Sequence, residues 1–553
     1  MNPHACTKRA GRLLMALAAI SSILLMAACG SGSSLAVPNP GGFTNSNLKG
    51  TYVISIAGTD VNLAAETESF FAIVGTISTD GSGNITGGTV DINDANLGAP
   101  GVFTAQTLSQ STYSISTDGR GTGTLVTPEG KFGLNFVLTS NNHGLITRFD
   151  AGGTGSGTLD LQGSATQGAL ASLAFSLAGS DSSGNSLGTV GAVALNTTSG
   201  LINSGLQDFN DDGSSAGLTS LTLNGQVVLG SSTSGTAQFD TSFGSLGFDV
   251  WVIDSTHLKI IETDTTSGAA LAGDAFTQQS SFTAGQLVLT VGGFDLSGDP
   301  VVAGGFATTD VNGNLSVGTE DFNNDGTPGG PISFAGSCNA TAPFAGGRCQ
   351  LTSNGFTNGV QGNLIFAAYP SSGGTLLLEV DSLGLLQGAS YAQSATSFAA
   401  AGYGLNLSGS NAADVGDSEV DSIAQFDATT TAAPAINMNG VIDENDLSTP
   451  LSPITLTGTY APDGSSPADG RGSIIATTTG TFVGGLSLVY YVVDGSTVIF
   501  IEQDSEQASV GTFQVQNAAS DAVLAQSHIS MVHPTVRPHA AKQSKWAPTG
   551  SRK

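Results

Sequence analysis

The sequence predicts an all-β protein: four tandem antiparallel domains of about eight strands each, rolled into small up-and-down barrels. Three observations carry that expectation. First, one opening segment recurs four times, as YVISIAGTD (Tyr52 to Asp60), LAFSLAGSD (Leu173 to Asp181), LVLTVGGFD (Leu287 to Asp295) and YGLNLSGSN (Tyr403 to Asn411). Second, two further markers keep the same order. Asp-x-Asn-[Asp/Asn] begins at Asp91, Asp208, Asp321 and Asp443. An acid followed by a glutamine closes each unit, at Asp150 and Gln162, Asp264 and Gln278, Asp381 and Gln393, Asp504 and Gln516. The opening glycine and the Asp-x-Asn marker both step by 113 to 122 residues, the mark of one supersecondary unit written several times. Third, hydrophobicity alternates with period two between Gly- and Asp-rich turns.

Each unit can be followed strand by strand. In the opening strand Tyr52, Ile54 and Ile56 alternate with Val53, Ser55 and Ala57, and Leu173, Phe175 and Leu177 with Ala174, Ser176 and Ala178. Bulky residues therefore share one face and small ones the other. Next come hairpins turning at DGSG and DGRG, then FGLNFVLTSNNHGLITRFD, which turns at Asn141 to Gly144. Asp-Gly and Asn-rich turns between alternating runs are hairpin signals. A chain of hairpins removes its exposed edges by pairing the last strand with the first. The layout is similar in strand order to lipocalin and avidin barrels, with no motif of either family. The alternative is a β-sandwich of immunoglobulin type, which needs Greek-key crossings. The units span residues 45–163, 168–279, 283–394 and 400–517.

Charged residues make up 10% of the chain and hydrophobic ones 39%, with 77 glycines among 553 residues. Eight of the 15 basic residues lie at the two ends, which leaves seven against 43 acidic ones in the body. A body so acidic repels phosphate backbones and excludes nucleic acid as a partner.

The N-terminus reads as an export signal over residues 1–28: Lys8, Arg9 and Arg12, an apolar run from Leu13 to Ala28, then small residues. LMAAC (Leu25 to Cys29) resembles the lipobox of bacterial lipoproteins. That resemblance implies that Cys29 becomes the acylated mature N-terminus, anchored in the cell envelope by palmitate-type chains. Gly30 stands where an Asp would mark inner-membrane retention in enteric bacteria, which implies the outer membrane. A Gly/Ser linker follows over 29–44, and a basic tail over 528–553 reads as disordered. Export also permits a disulfide between Cys338 and Cys349, contributing roughly 2–3 kcal/mol by loop closure.

Candidate sites are few. Asp208, Asn210 and Asp212, and likewise Asp321, Asn323 and Asp325, reproduce the first half of an EF-hand-like loop, so calcium is the one candidate cofactor. Thr219 and Ile332 stand where that loop needs its bidentate Glu, and the competing reading is an Asx turn. Glu262, Glu379 and Glu502, each two residues before an Asp, read as polar strand ends, and His143 and His257 as turn residues. The tail histidines His528, His533 and His539 fit no metal spacing. No nucleophile elbow, metal triad, phosphate loop or dinucleotide fingerprint occurs. The expectation is therefore an exported, lipid-anchored, non-enzymatic protein with a structural, display or binding role, its partners a membrane and a protein or glycan. The alternatives are a carrier holding a small apolar ligand in a barrel mouth, and a calcium-stabilised adhesin or glycan-binding module.

Overall fold

The structure, a computed structural model, describes residues 42–519 apart from 63–66, 100, 341–346, 414–416, 432–434, 464–468 and 480–484. The signal segment, Cys29 and the basic tail with its histidines lie outside the described residues. Among those residues there are strands and three short 3-10 turns, with no α-helix.

The strands form four antiparallel up-and-down barrels. Their strands run over 49–161, 172–277, 285–392 and 402–515. In each barrel sequential strands are neighbours and the last pairs with the first, as Ile54 with Leu159 or Leu405 with Phe513. The consecutive order excludes the sandwich alternative. The third and fourth barrels close fully. The first closes through Asn84–Asp94, which pairs with both halves of a broken fourth strand, Val102–Thr107 and Ser111–Ile115. The second is nearly closed: its fourth strand breaks at Leu223, whose N–H still donates to the Gly205 carbonyl at 3.0 Å.

Every barrel core is built from the bulky set that alternation assigns inward. Tyr52, Ile54 and Ile56 lie in the first core, Leu173, Phe175 and Leu177 in the second, Tyr403, Leu405 and Leu407 in the fourth. The shared opening glycines are explained by close approach. A Cβ on Gly58 would lie 2.4 Å from Gly155 Cα, and one on Gly179 would lie 1.8 Å from the Ala270 carbonyl oxygen.

The small set faces outward and is buried too, because the barrels pack on one another. Phe70, Ala72 and Val74 of the first barrel meet Ile261, Ala270 and Ala272 of the second. Ala174, Val190 and Ala192 of the second meet Ala367, Tyr369 and Leu378 of the third. Val288 and Val302 of the third meet Tyr491, Ile499 and Ile501 of the fourth. The fourth then packs back on the first, through Ile423 against Val137 and Leu145. The repeats are a closed cycle of four junctions, not a string of independent domains.

Candidate functional site

The sequence markers converge on those junctions. Asp208 and Asn210 flank the core residue Phe209 on one strand, so both point outward. The Asn210 amide donates to the Glu379 and Gly384 carbonyls of the next barrel at 2.9 and 2.8 Å. Asp208, fully buried, accepts from Arg348 at 2.6 and 3.1 Å and from the Tyr369 hydroxyl at 2.5 Å. The next junction repeats this. Asn323 donates to the carbonyls of Glu502, Asp504 and Gln507, while Asp321 accepts from Arg471 and Tyr491. Asn93 reaches Glu262, and Trp251 donates to Asp91. At the closing junction Asn445 donates to the Arg148, Asp150 and Gly153 carbonyls, and Asp443 accepts from Asn135 with Arg120 3.7 Å away.

These side chains therefore have a task other than the calcium loop that Asp208, Asn210, Asp212, Asp321, Asn323 and Asp325 suggested. Asp212–Gly213 and Asp325–Gly326 all have positive φ, between 45° and 77°, the two-residue hairpin turn that favours Asp-Gly. Asp and Asn of the motif bind neighbouring protein instead of converging on one point. Among the described residues no group of three or more His, Cys, Asp or Glu side chains is arranged to hold a metal ion. The closing glutamines are junction residues as well. Gln162, Gln278, Gln393 and Gln516 each donate to carbonyls of the following barrel, Gln516 to Asp118 and Leu138 of the first.

The glutamates of the Glu-x-Asp pairs are interior. Glu262, Glu379 and Glu502 follow the inward Ile260, Leu377 and Phe500 by two residues, so they point into barrels two to four and are fully buried. Burial lifts Glu262 to about 7, and burial with Asp381 beside it lifts Glu379 far above the carboxylate range. Burial favours the protonated form of all three. Arg148 takes the place in the first barrel, 3.1 Å from Asp60 and 3.3 Å from Asp150. His143 and His257 are buried, contrary to a turn role. Each bonds an acid on the next strand, Asp160 at 2.6 Å and Asp274 at 2.5 Å. Cys338 and Cys349 are joined in a disulfide across neighbouring strands of the third barrel.

The third barrel has room inside. The mouth of the third opens into a cavity of about 170 Å³. Its cause is legible at three equivalent core positions, on the first, sixth and eighth strands. The first barrel has Tyr52, Phe136 and Leu159 there, and the fourth has Tyr403, Tyr490 and Phe513. The second has Leu173, Val250 and Ala275, with Phe175 and Phe239 stacked at 4.7 Å filling the centre. The third has Leu287, Ala368 and Ser390, and all three line the cavity. The aromatic that precedes the opening strand does not seal the gap. Phe398 stands over the fourth barrel against Tyr403, Tyr460, Tyr490 and Phe513. Phe282 lines the cavity without filling it, packed near Gly313 and Cys338. Sequence alternation located these positions but gave no measure of the space that small residues would leave.

No family model matches the chain, and no curated protein does. Among solved structures, transferrin binding protein B from serogroup B Neisseria meningitidis is 10% identical, covering 68% of this chain and 84% of its own, with a TM-score of 0.18. A double mutant of that protein from Haemophilus parasuis is also 10% identical, over 87% and 78%, with a TM-score of 0.18. CghA is 8% identical over 88% and 97%, with a TM-score of 0.12. Overlaps this slight say nothing about what the present chain binds.

Proposed function

We propose that this is an exported, lipid-anchored, non-enzymatic binding protein whose site is the mouth of the third barrel. One observation carries the reading: that barrel alone has Leu, Ala and Ser at the three positions discussed, and a cavity opens there. A cavity of about 150 Å³ lined by apolar side chains is enough to hold benzene. The junction cycle makes the other three barrels a scaffold that fixes the walls of this one. Cys29 and the segment before it support an address at the cell envelope, in the outer membrane or at the cell surface.

The test copies the fourth barrel into the third. Benzene should bind the wild-type protein in isothermal titration. Ala368→Tyr and Ser390→Phe should each abolish binding without lowering the melting temperature. Heat of binding that persists in both filled variants, or none in the wild type, overturns the site. The anchor is tested separately: a palmitate analogue should label the wild-type protein and not Cys29→Ala.

A further inference from the structure

The walls of this cavity also define what enters it, given that the mouth is a binding site. We infer that the ligand is an uncharged amphiphile: an unbranched aliphatic chain of about benzene's volume under a neutral polar head.

The charge argument comes first. Among the described residues no Asp, Glu, Lys, Arg or His lines the cavity. Its rim is formed by the linker before the third barrel and by the hairpin that links its sixth and seventh strands. The Gln279 N–H donates to the Pro370 carbonyl at 3.0 Å, and the Ser372 N–H donates to Thr277 at 2.8 Å. That rim offers hydroxyls and an amide, from Gln279, Thr283, Ser371, Ser372 and Thr375. Such groups hydrogen-bond an alcohol or amide head but do not neutralise a charge. A carboxylate would bring its own charge to a cationless mouth on a strongly acidic body, where both desolvation and the protein's field oppose it.

The shape argument follows from depth. Leu287, Leu289 and Val291 mark successive levels down the opening strand. A second void of about 20 Å³ lies below the first, between Val291, Phe334, Phe356 and Phe366. The two share Leu289, Leu315, Leu351 and Leu377 as walls. The space therefore extends along the barrel axis and narrows. A chain can follow it, whereas a broad ring system stops at the mouth.

The experiment titrates the wild-type protein with primary alcohols from butan-1-ol to octan-1-ol, with cyclohexanol, and with hexanoate at pH 7.5. Affinity should rise roughly fourfold per methylene at first, the factor for burying one CH₂, and then level off when the lower void is filled. Hexanoate should bind at least about tenfold more weakly than hexan-1-ol, because it must bury an unpaired charge. Hexanoate within threefold of hexan-1-ol would overturn the neutral head, and cyclohexanol equal to hexan-1-ol would overturn the linear chain. In both cases benzene binding still upholds the site. If neither benzene nor any alcohol binds, the site itself is lost. Val291→Phe should flatten the chain-length series while leaving benzene binding intact. A series that climbs unchanged in that variant contradicts the assigned direction of entry.

Discussion

The most direct perturbation of the cycle is Arg348→Met. Arg348 of the third barrel and Asp208 of the second are both buried, with 1% and no side-chain exposure, and their closest atoms are 2.6 Å apart. Methionine fills much of the same space but leaves the Asp208 carboxylate with only the Tyr369 hydroxyl and the Ser220 N–H. Stranding one member of a buried pair costs about 3–5 kcal/mol. How this appears in a melt depends on what unfolds together. At about 2.1 cal/mol/K per residue, a cooperative unit of about 475 residues has a melting entropy near 1 kcal/mol/K, so the midpoint falls by about 4 °C. A lone barrel of about 110 residues would fall by about 17 °C and would separate from the rest. The cycle of junctions predicts the small shift in one undivided transition by differential scanning calorimetry. Arg348→Met with Asp208→Asn should recover most of the loss, because no charge is then left alone. A split endotherm, or a double variant no better than the single, would refute the reasoning.

Asn445→Ala should cost as much as Asn323→Ala, within about 1 kcal/mol in urea unfolding, because each removes three bonds to carbonyls of the barrel it faces. A negligible cost for Asn445→Ala would open the cycle at the closing junction. Stability should also fall as pH rises from 5 to 9. Burial lifts Glu262 to about 7 and Glu320 to about 9, so the fold keeps protons that the unfolded chain, near 4.3, has released. Their stabilisation is complete below that value and is lost as pH climbs through 7 and 9, by at most about 1.4 kcal/mol per pH unit for each group. Burial alone would raise Asp274 too, but Lys259 at 2.7 Å and His257 hold it below the usual range. Its contribution is therefore present above about pH 4 and lost below. Melting temperature should peak near pH 5, and a peak at 8 or above would contradict the buried acids. Glu419, raised by burial and by Asp421 and bonded to Thr59 across the closing junction, adds a local check. Glu419→Gln should stabilise the protein at pH 9 and change little at pH 5.

Much of this fold was written in plain view. Tyr52, Ile54 and Ile56 declared their face by alternation, and Asp-Gly pairs declared the hairpins, because both signals act between residues close in sequence. The junctions were visible only as unexplained similarity. Asp208 and Asn210 recur in every copy because each barrel presents the same face to its successor, yet the partners, Arg348, Tyr369 and the Glu379 carbonyl, lie 140 to 169 residues away. A local reading could see in that recurrence only a calcium loop or an Asx turn. The same limit hid the hydrogen bonds of His143 and His257, whose acids stand on the next strand, and the burial of Glu262, Glu379 and Glu502. The cavity was beyond local reading for another reason. It depends on summed volume at Leu287, Ala368 and Ser390, and a neighbouring phenylalanine fills the equivalent space in the second barrel.

Closure of the cycle and openness of one barrel are connected. A void costs about 24 cal/mol per Å³, so about 170 Å³ is worth up to about 4 kcal/mol, less where water enters the mouth. A free-standing domain of this size has about 5–15 kcal/mol in all, and such a gap would take a large share of it. The third barrel does not stand free. Val288, Val302, Ala367 and Leu378 are buried against its two neighbours, while Asp208 and Asp321 each hold an arginine across its two junctions. The stability that its own core forgoes is thus supplied from outside. Duplication followed by closure explains how the third copy can go without bulk at its mouth, where Tyr and Phe side chains fill the first and fourth and stacked phenylalanines the second. It also orders the outcomes of mutation: filling the mouth at Ala368 should raise stability and end binding, whereas cutting a junction at Asn323 should lower stability and loosen the walls that shape the site.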